Sequence, residues 1–278
     1  MAALTYPDEQ HRALVRENAI RLSARYATFV APPSQVPKRP ALAMMKERLV
    51  LMFKPNAPPA FDWRDRVQVP PAKSQGDCYS CTSFAVASAI EISLRIADPA
   101  NRDDVAAQFM HTCVGHAGKQ DPHLICRLGV DSRQLLQALK TAGYASSIND
   151  AAPFSPSACA KVRTVRPISD FFPVSEDAAK SWIMKGPLVA DMYVWDDFFG
   201  YTTSDAPMYI PTNATAGPYL HTVCVVGFSS AGWIVKNSLG SSWGDGKGFA
   251  TIAKGTCGLL SAEPLMGGVT RQAYLLSL

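Results

Sequence analysis

Cys78 and Cys81 stand three residues apart in QGDCYSCTSF, residues 75–84, directly before a stretch with helical character. Two thiols at that spacing can serve as a metal knuckle, a redox pair, a disulfide staple or a nucleophile site. Zinc needs further ligands, and Cys113-x2-His116 with His123-x2-Cys126 supplies thiolates and imidazoles at suitable spacing, either beside Cys78 and Cys81 or alone. A thioredoxin-type redox pair needs a βαβ setting, which the sequence does not show. A nucleophile makes more demands. A cysteine at a helix N-terminus feels the positive end of the macrodipole, which favours thiolate, and an imidazole beside it completes an ion pair. His221, in HTVCVVGF, lies 140 positions beyond Cys81, and Asn237, in WIVKNSLGSSWGDGKG, follows 16 residues later. A side-chain amide there can accept the imidazole N–H and aim the ring at sulfur. A lone histidine near a strand is usually structural, so the weight rests on the joint pattern. The seven cysteines are Cys78, Cys81, Cys113, Cys126, Cys159, Cys224 and Cys257, an odd number that leaves at least one thiol free or paired between chains.

The elements that must position these residues can be read from periodicity. Residues 82–96 are rich in Ala, Ile and Leu without strict alternation and stop at Asp98-Pro99, which predicts a buried helix starting close to Cys81. Further helices are expected over 131–141, closed by Gly143, and over 175–184, closed by Gly186-Pro187. Residues 188–195, 222–228, 232–236 and 248–253 are short, rich in Val, Ile and aromatics, and separated by Gly and Ser, as antiparallel strands are. His221 then sits at the mouth of one strand and Asn237 at the end of the next. Helices first and strands later predict an α+β protein of two lobes with a cleft between them.

Composition sets the outer limits. The 278 residues are 47% hydrophobic and 18% charged, enough to bury one large core or two lobes. No run of about 18 apolar residues exists, and the first residues lack the basic and apolar regions of a secretory leader. The net charge of +4 is uneven: residues 1–58 carry nine Lys/Arg against four Asp/Glu, and the remainder carries 18 against 19. The body has no basic run with interleaved aromatics, which argues against nucleic acid as its ligand. Within the basic arm, Val15, Ala19, Leu22, Tyr26 and Phe29 recur at steps of four and three, an amphipathic helix over 8–30. Pro32, Pro33, Pro37 and Pro40 end it, an apolar piece follows over 41–53, and Pro55, Pro58 and Pro59 place a boundary near Phe61.

QGDCYSC, HTVCVVGF and KNSLGSSWG, in this order, resemble the three signature blocks of papain-like cysteine peptidases. FDWRD resembles that family's mature N-terminus, and SWIMKGPLVADMYVWDDF its stretch leading into the strand lobe, so the likeness runs from about Phe61 to Leu278. It implies a helical N-terminal lobe and an antiparallel, β-barrel-like C-terminal lobe, with an arm at 1–58 and a peptidase domain at 59–278. It implies Cys81 as nucleophile, His221 as general acid/base, Asn237 as its orienting residue, and Gln75 as oxyanion donor together with the Cys81 backbone N–H. Trp243 matches a tryptophan over the leaving-group side, and Gly129 a glycine whose backbone pairs with extended substrate. Leu220, Thr222 and Ala262 match the lining of the second substrate pocket. That lining carries no obvious charge, which predicts an apolar residue one before the scissile residue.

Three positions depart from the family. Thr82 stands where tryptophan usually follows the nucleophile, Leu239 replaces the tryptophan that shields the His–Asn bond, and Tyr79 replaces a small residue and should narrow the cleft. The resemblance further implies disulfides Cys78–Cys126 and Cys113–Cys159, which compete with zinc for Cys113 and Cys126, and leaves Cys81, Cys224 and Cys257 as thiols. Disulfides call for an oxidising destination. The chain is therefore expected either to stay reduced in the cytoplasm where it is made or to leave by a route other than Sec, as a microbial effector or toxin does. The expected agent is a monomeric endopeptidase acting on polypeptide, with no cofactor, metal, nucleic acid or membrane, and with residues 1–58 lying on the body to limit activity, serve export or simply clad it. The same constellation also suits an amidase, an acyltransferase or a catalytically weak binding module, and the thiols and imidazoles leave a zinc-stabilised module open.

Overall fold

The computed structural model describes residues 57–146, 148, 154–162, 164–212, 218–260 and 273–278. The amphipathic helix over 8–30, the apolar piece over 41–53 and Ala262 lie outside the described residues.

The chain enters as a short strand β1 (Phe61–Asp62) and a 3-10 turn, then forms helix α1 (Cys81–Ala97). Helix α2 (Ala107–Phe109) widens into a π turn over Met110–Gly115, and α3 (Pro122–Cys126), α4 (Ser132–Ala142) and α5 (Pro156–Cys159) follow. Next come β2 (Asp170–Pro173), α6 (Glu176–Ile183), β3 (Leu188–Val194), α7 (Asp196–Phe199), β4 (Tyr219–Phe228), β5 (Gly232–Lys236), β6 (Phe249–Ala253) and β7 (Ala273–Ser277). This is the expected α+β arrangement, a helical lobe followed by a strand lobe. The strand lobe is an open antiparallel sheet in the order β2-β7-β3-β4-β5-β6, with β1 on β4, and so differs from the barrel-like closure expected of it. Its path ends at β2 on one side and β6 on the other.

Helix α1 is buried nearly all round, with Val86, Ala89, Ile90 and Ile92 fully enclosed, which is why its sequence shows no polar stripe. Helix α4 is the opposite case. Leu135, Leu136 and Leu139 face the core, Asp131 caps the start by accepting from the Gln134 N–H at 2.8 Å, and Gly143 ends it at φ +74°. Strand β4 is central. It pairs β3, β5 and β1, and is buried at every position except Leu220. Gly227 is required where β1 crosses it, because a Cβ there would stand 2.4 Å from the Phe61 carbonyl oxygen.

A buried ionic link joins the lobes. Glu91 of α1 accepts from Lys73 Nζ at 2.6 Å and from the Val105 N–H at 2.9 Å, and its other oxygen lies 3.9 Å from Nζ of fully buried Lys236 at the end of β5. Burial lowers the Lys236 pKa and Glu91 works against that shift, while for Lys73 burial is outweighed by Glu91 and Asp104. Among the described residues Lys236 Nζ has no hydrogen-bond partner of its own. Removing Glu91 therefore strands a buried cation, whereas removing Lys236 leaves Glu91 still answered by Lys73. Glu91→Gln is expected to lower the urea-unfolding free energy by about 3–5 kcal/mol, Lys236→Met by clearly less, and the double variant to recover part of the loss. Equal losses in the two single variants would contradict this asymmetry.

Candidate active site

Cys81 is the first residue of α1 and the one free thiol with surface open to solvent; Cys224 and Cys257 are buried. Its helix has no side-chain cap at Ser80, so first-turn N–H groups remain available near the sulfur. Those donors and the helix end favour a thiolate, but burial, the largest influence, pushes the Cys81 thiol above its ordinary range. Hydrogen bonds from the main chain and side chain of Thr222 and from the Thr82 backbone pull it down, while the charge of Asp191 pushes it further up.

His221 lies in β4, opposite Met192 of β3, and its Nε2 donates to Asn237 Oδ1 at 2.8 Å. Asn237 Oδ1 also accepts the Ser238 N–H at 2.8 Å, so it is the oxygen that faces the ring. That fixes the proton on Nε2 and leaves Nδ1 as the free basic nitrogen. Burial holds His221 below its ordinary pKa, with Asn237 and Asp191 acting the other way. The Asn237 amide nitrogen is buried without a partner among the described residues. Phe198 of α7 packs on the imidazole with ring centroids 5.5 Å apart. Trp243, 1% exposed, supports Phe198 from behind at 4.9 Å and donates its Nε1–H to the Phe198 carbonyl at 2.7 Å. Leu239, expected to exclude water in place of a tryptophan, is only partly buried, and the ring on the imidazole is Phe198.

Gln75 is clamped between the lobes. Its Nε2 donates to the Cys78 carbonyl at 2.8 Å, its Oε1 accepts from Ser238 Oγ at 2.6 Å, and its backbone N–H reaches the Ser238 carbonyl at 2.8 Å. One Nε2 proton is thereby used and the other left over. Ser238, next to Asn237, thus ties the histidine's partner to the oxyanion candidate, a link with no local signal along the chain.

The disulfides Cys78–Cys126 and Cys113–Cys159 are both formed. They give Cys113 and Cys126 separate partners and so dismantle the zinc arrangement. His116 turns instead to the Leu128 carbonyl at 3.2 Å, and its ring packs edge-on against that of buried His111. The Cys78–Cys126 bond brings the segment 126–130 alongside the nucleophile loop, where the Tyr79 N–H donates to the Cys126 carbonyl at 2.8 Å. Gly129 lies on that segment, half-buried, next to Val130, whose carbonyl accepts from Thr82 Oγ1 at 2.8 Å. Thr82, where the family usually has tryptophan, therefore anchors this segment to α1.

Thr222 is buried and Leu220 half-buried, and beside Thr222 stands a charge that the motifs do not announce. Asp191 of β3 sits opposite Thr222, and its Oδ1 accepts from Thr222 Oγ1 at 2.8 Å and from Ser132 Oγ at 2.7 Å. Thr82 and Thr222 hydroxyls lie 3.1 Å apart. With the Thr82 proton on Val130 and the single Thr222 hydrogen divided between Asp191 and the Cys81 sulfur, none remains for that contact; a proton on Asp191 releases one. Burial is the main reason the Asp191 pKa is pushed up to about 6, against the two hydroxyls.

The profile described as Papain family cysteine protease matches residues 57–265 of the chain. Among curated proteins the chain is 30% identical over 216 residues to Cathepsin O of Mus musculus, covering 73% of this chain and 66% of that protein. It is 27% identical over 221 residues to Cathepsin O of Homo sapiens (76% and 67%), and 28% identical over 234 residues to Cysteine proteinase 1 of Dictyostelium discoideum (74% and 64%). The chain thus spans about two thirds of the length of these relatives. The solved structure of the Carica candamarcensis cysteine protease CMS1MS2 in complex with E-64 superposes with a TM-score of 0.57 at 20% identity, over 79% of this chain and 98% of that one, a likeness of fold.

A raised Asp191 pKa has a stability sign. The folded chain holds this proton more tightly than the unfolded chain, so stability is fullest below the ordinary value of 3.8 and is lost as pH rises through about 6. Asp191→Asn is expected to unfold in urea with about 2–3 kcal/mol more free energy than the parent at pH 7.5, the gap closing toward pH 4. A gap that persists at pH 4 would place its origin elsewhere.

Proposed function

The chain belongs to the papain family of cysteine proteases, and we propose that it hydrolyses peptide bonds through Cys81, His221 and Asn237 with Gln75 as oxyanion donor. The observation that carries the reading is the 2.8 Å bond from His221 Nε2 to Asn237 Oδ1, which leaves Nδ1 as the base on the ring. Cys81 Sγ attacks the scissile carbonyl carbon while His221 Nδ1 takes the thiol proton. The neutral resting states favoured by burial of both groups make the transfer part of the reaction. Charge then builds on the carbonyl oxygen, where the spare Gln75 Nε2 proton and the Cys81 backbone N–H receive it. Two fixed donors in a water-poor site stabilise such an oxyanion by about 3–4 kcal/mol each.

Collapse of the tetrahedral intermediate breaks the C–N bond, and His221 passes its proton to the departing amine. The product is an acyl-thioester on Cys81. Water enters on the vacated side, loses a proton to Nδ1 and releases the acid, restoring the thiol. Asn237 and Phe198 hold the ring in one plane throughout, and Ser238 keeps Gln75 in register with Asn237.

An epoxide inhibitor of thiol peptidases is expected to form its adduct on Cys81, located by mass spectrometry, and to fail in His221→Ala. Labelling spread over Cys224 and Cys257 would overturn the assignment. Gln75→Ala should lower kcat about 10²–10³-fold with little change in KM. The arm over residues 1–58 belongs to the same proposal as a brake on the cleft: a chain starting at Pro59 should cleave peptides faster than the full chain, and equal rates would remove the inhibitory role.

A further inference from the structure

We propose that Asp191 sets the specificity of the pocket beside Thr222, taking a cationic side chain, arginine or lysine, from the substrate residue one before the scissile residue. The proposal deepens the peptidase reading and rests on it. It replaces the apolar preference expected from Leu220 and Thr222 alone.

Three observations converge. First, the carboxylate is held ready. Oδ1 is fixed by Ser132 of α4 and Thr222 of β4, at 2.7 and 2.8 Å, so the group is oriented before any ligand arrives and loses little freedom on binding. Oδ2 has no hydrogen bond among the described residues, and the side chain is only half-buried. Secondly, no cation answers it. Buried Glu91 is answered by Lys73 and Lys236, and Asp170 by Lys140. Among the described residues Asp191 has no such partner. Asp131, whose charge bears on Asp191, uses Oδ1 to cap α4 through the Gln134 N–H and likewise has none. Thirdly, the place is where a substrate side chain must go. Asp131 lies two residues past Gly129, the proposed backbone partner of extended substrate, and Asp191 faces Thr222, one residue from His221. Its charge bears on both Cys81 and His221. A guanidinium or ammonium there makes a charge-assisted bond to Oδ2 and removes an uncompensated negative charge from beside the reacting sulfur.

The groups around Asp191 are Asp131 at the start of α4, Cys81 at the start of α1, His221 on β4 and Tyr274 on β7, with Arg133 of α4 acting on Tyr274 from the same neighbourhood without an ion pair to Asp191 among the described residues. Cys81 and His221 act on every substrate alike, so a ratio of two substrates isolates the carboxylates. The test uses fluorogenic peptides identical except for arginine, citrulline or leucine before the scissile residue. Citrulline keeps the shape of arginine and lacks its charge. At pH 7.5 the arginine peptide should exceed the citrulline peptide in kcat/KM by about 10- to 100-fold, the range of a hydrogen bond to a charged group. The ratio should fall toward pH 5 as Asp191 takes up a proton. Asp191→Asn should bring it near one while still cleaving the leucine peptide. Equal rates for arginine and citrulline in the unaltered chain overturn the inference without any variant, and so does an Asp191→Asn chain that keeps the ratio. Cleavage of none of the three, together with no epoxide adduct on Cys81, overturns the peptidase reading itself and this inference with it.

Discussion

The site depends on one seam, the packing of helix α1 against strands β4 and β3, with the end of β5 reaching the helix at Lys236. The nucleophile candidate comes from the helix and its base and orienting residue from the strands, so no element holds the set alone. The seam is fastened at two heights. At the helix start Thr82 meets Thr222 at 3.1 Å, each next in sequence to a residue of the proposed chemistry. Further along, Glu91 draws Lys236, the residue before Asn237, to 3.9 Å. Gln75 and Ser238 add a third tie beside the sulfur. Buried polar links of this kind contribute less to net stability than their number suggests, since desolvation offsets much of the attraction. They do penalise a slip of one lobe along the other, because a shifted register leaves charges and carbonyls unpaired in a dry interior.

The same seam explains why the ionisable groups pull against each other. Enclosing Cys81 and His221 favours the neutral form of both, and a helix end, Asn237 and neighbouring hydroxyls oppose that. Asp191 supports an imidazolium and opposes a thiolate at once. A negative charge left there unpaired is unfavourable for the fold and for the sulfur, and both penalties ease when a cation or a proton arrives. Strain of this sort is retained where function uses it.

Much of this was legible in the sequence. The helix expected over 82–96 runs from Cys81 to Ala97, and the strand expected over 232–236 has those same bounds, because burial on all sides and β-branched runs each leave a local imprint. The Cys, His and Asn positions were legible as a pattern of motifs. Strands β2 and β7 were not expected. DFFP and AYLLS are short, and what makes them strands is their pairing with each other across a hundred residues, which periodicity does not record. Phe198 and Ser238 escaped for the same reason, since a ring over an imidazole and a hydroxyl on a glutamine are products of the fold.

Asp191 is the sharpest instance. In GPLVADMYV it interrupts an apolar strand, and a carboxylate in such a run is out of place by every local rule. Only the pairing of β3 with β4 shows that it faces Thr222, and only the cap of α4 brings Ser132 to it. The two flanking hydroxyls each satisfy one lone pair and neither supplies a charge. The arrangement stops short of neutralising the group, which distinguishes it from the paired carboxylate at Glu91 in the same seam. A polar residue that breaks the pattern of a buried strand, is oriented by its neighbours and is left uncompensated by them implies that its partner comes from outside the chain.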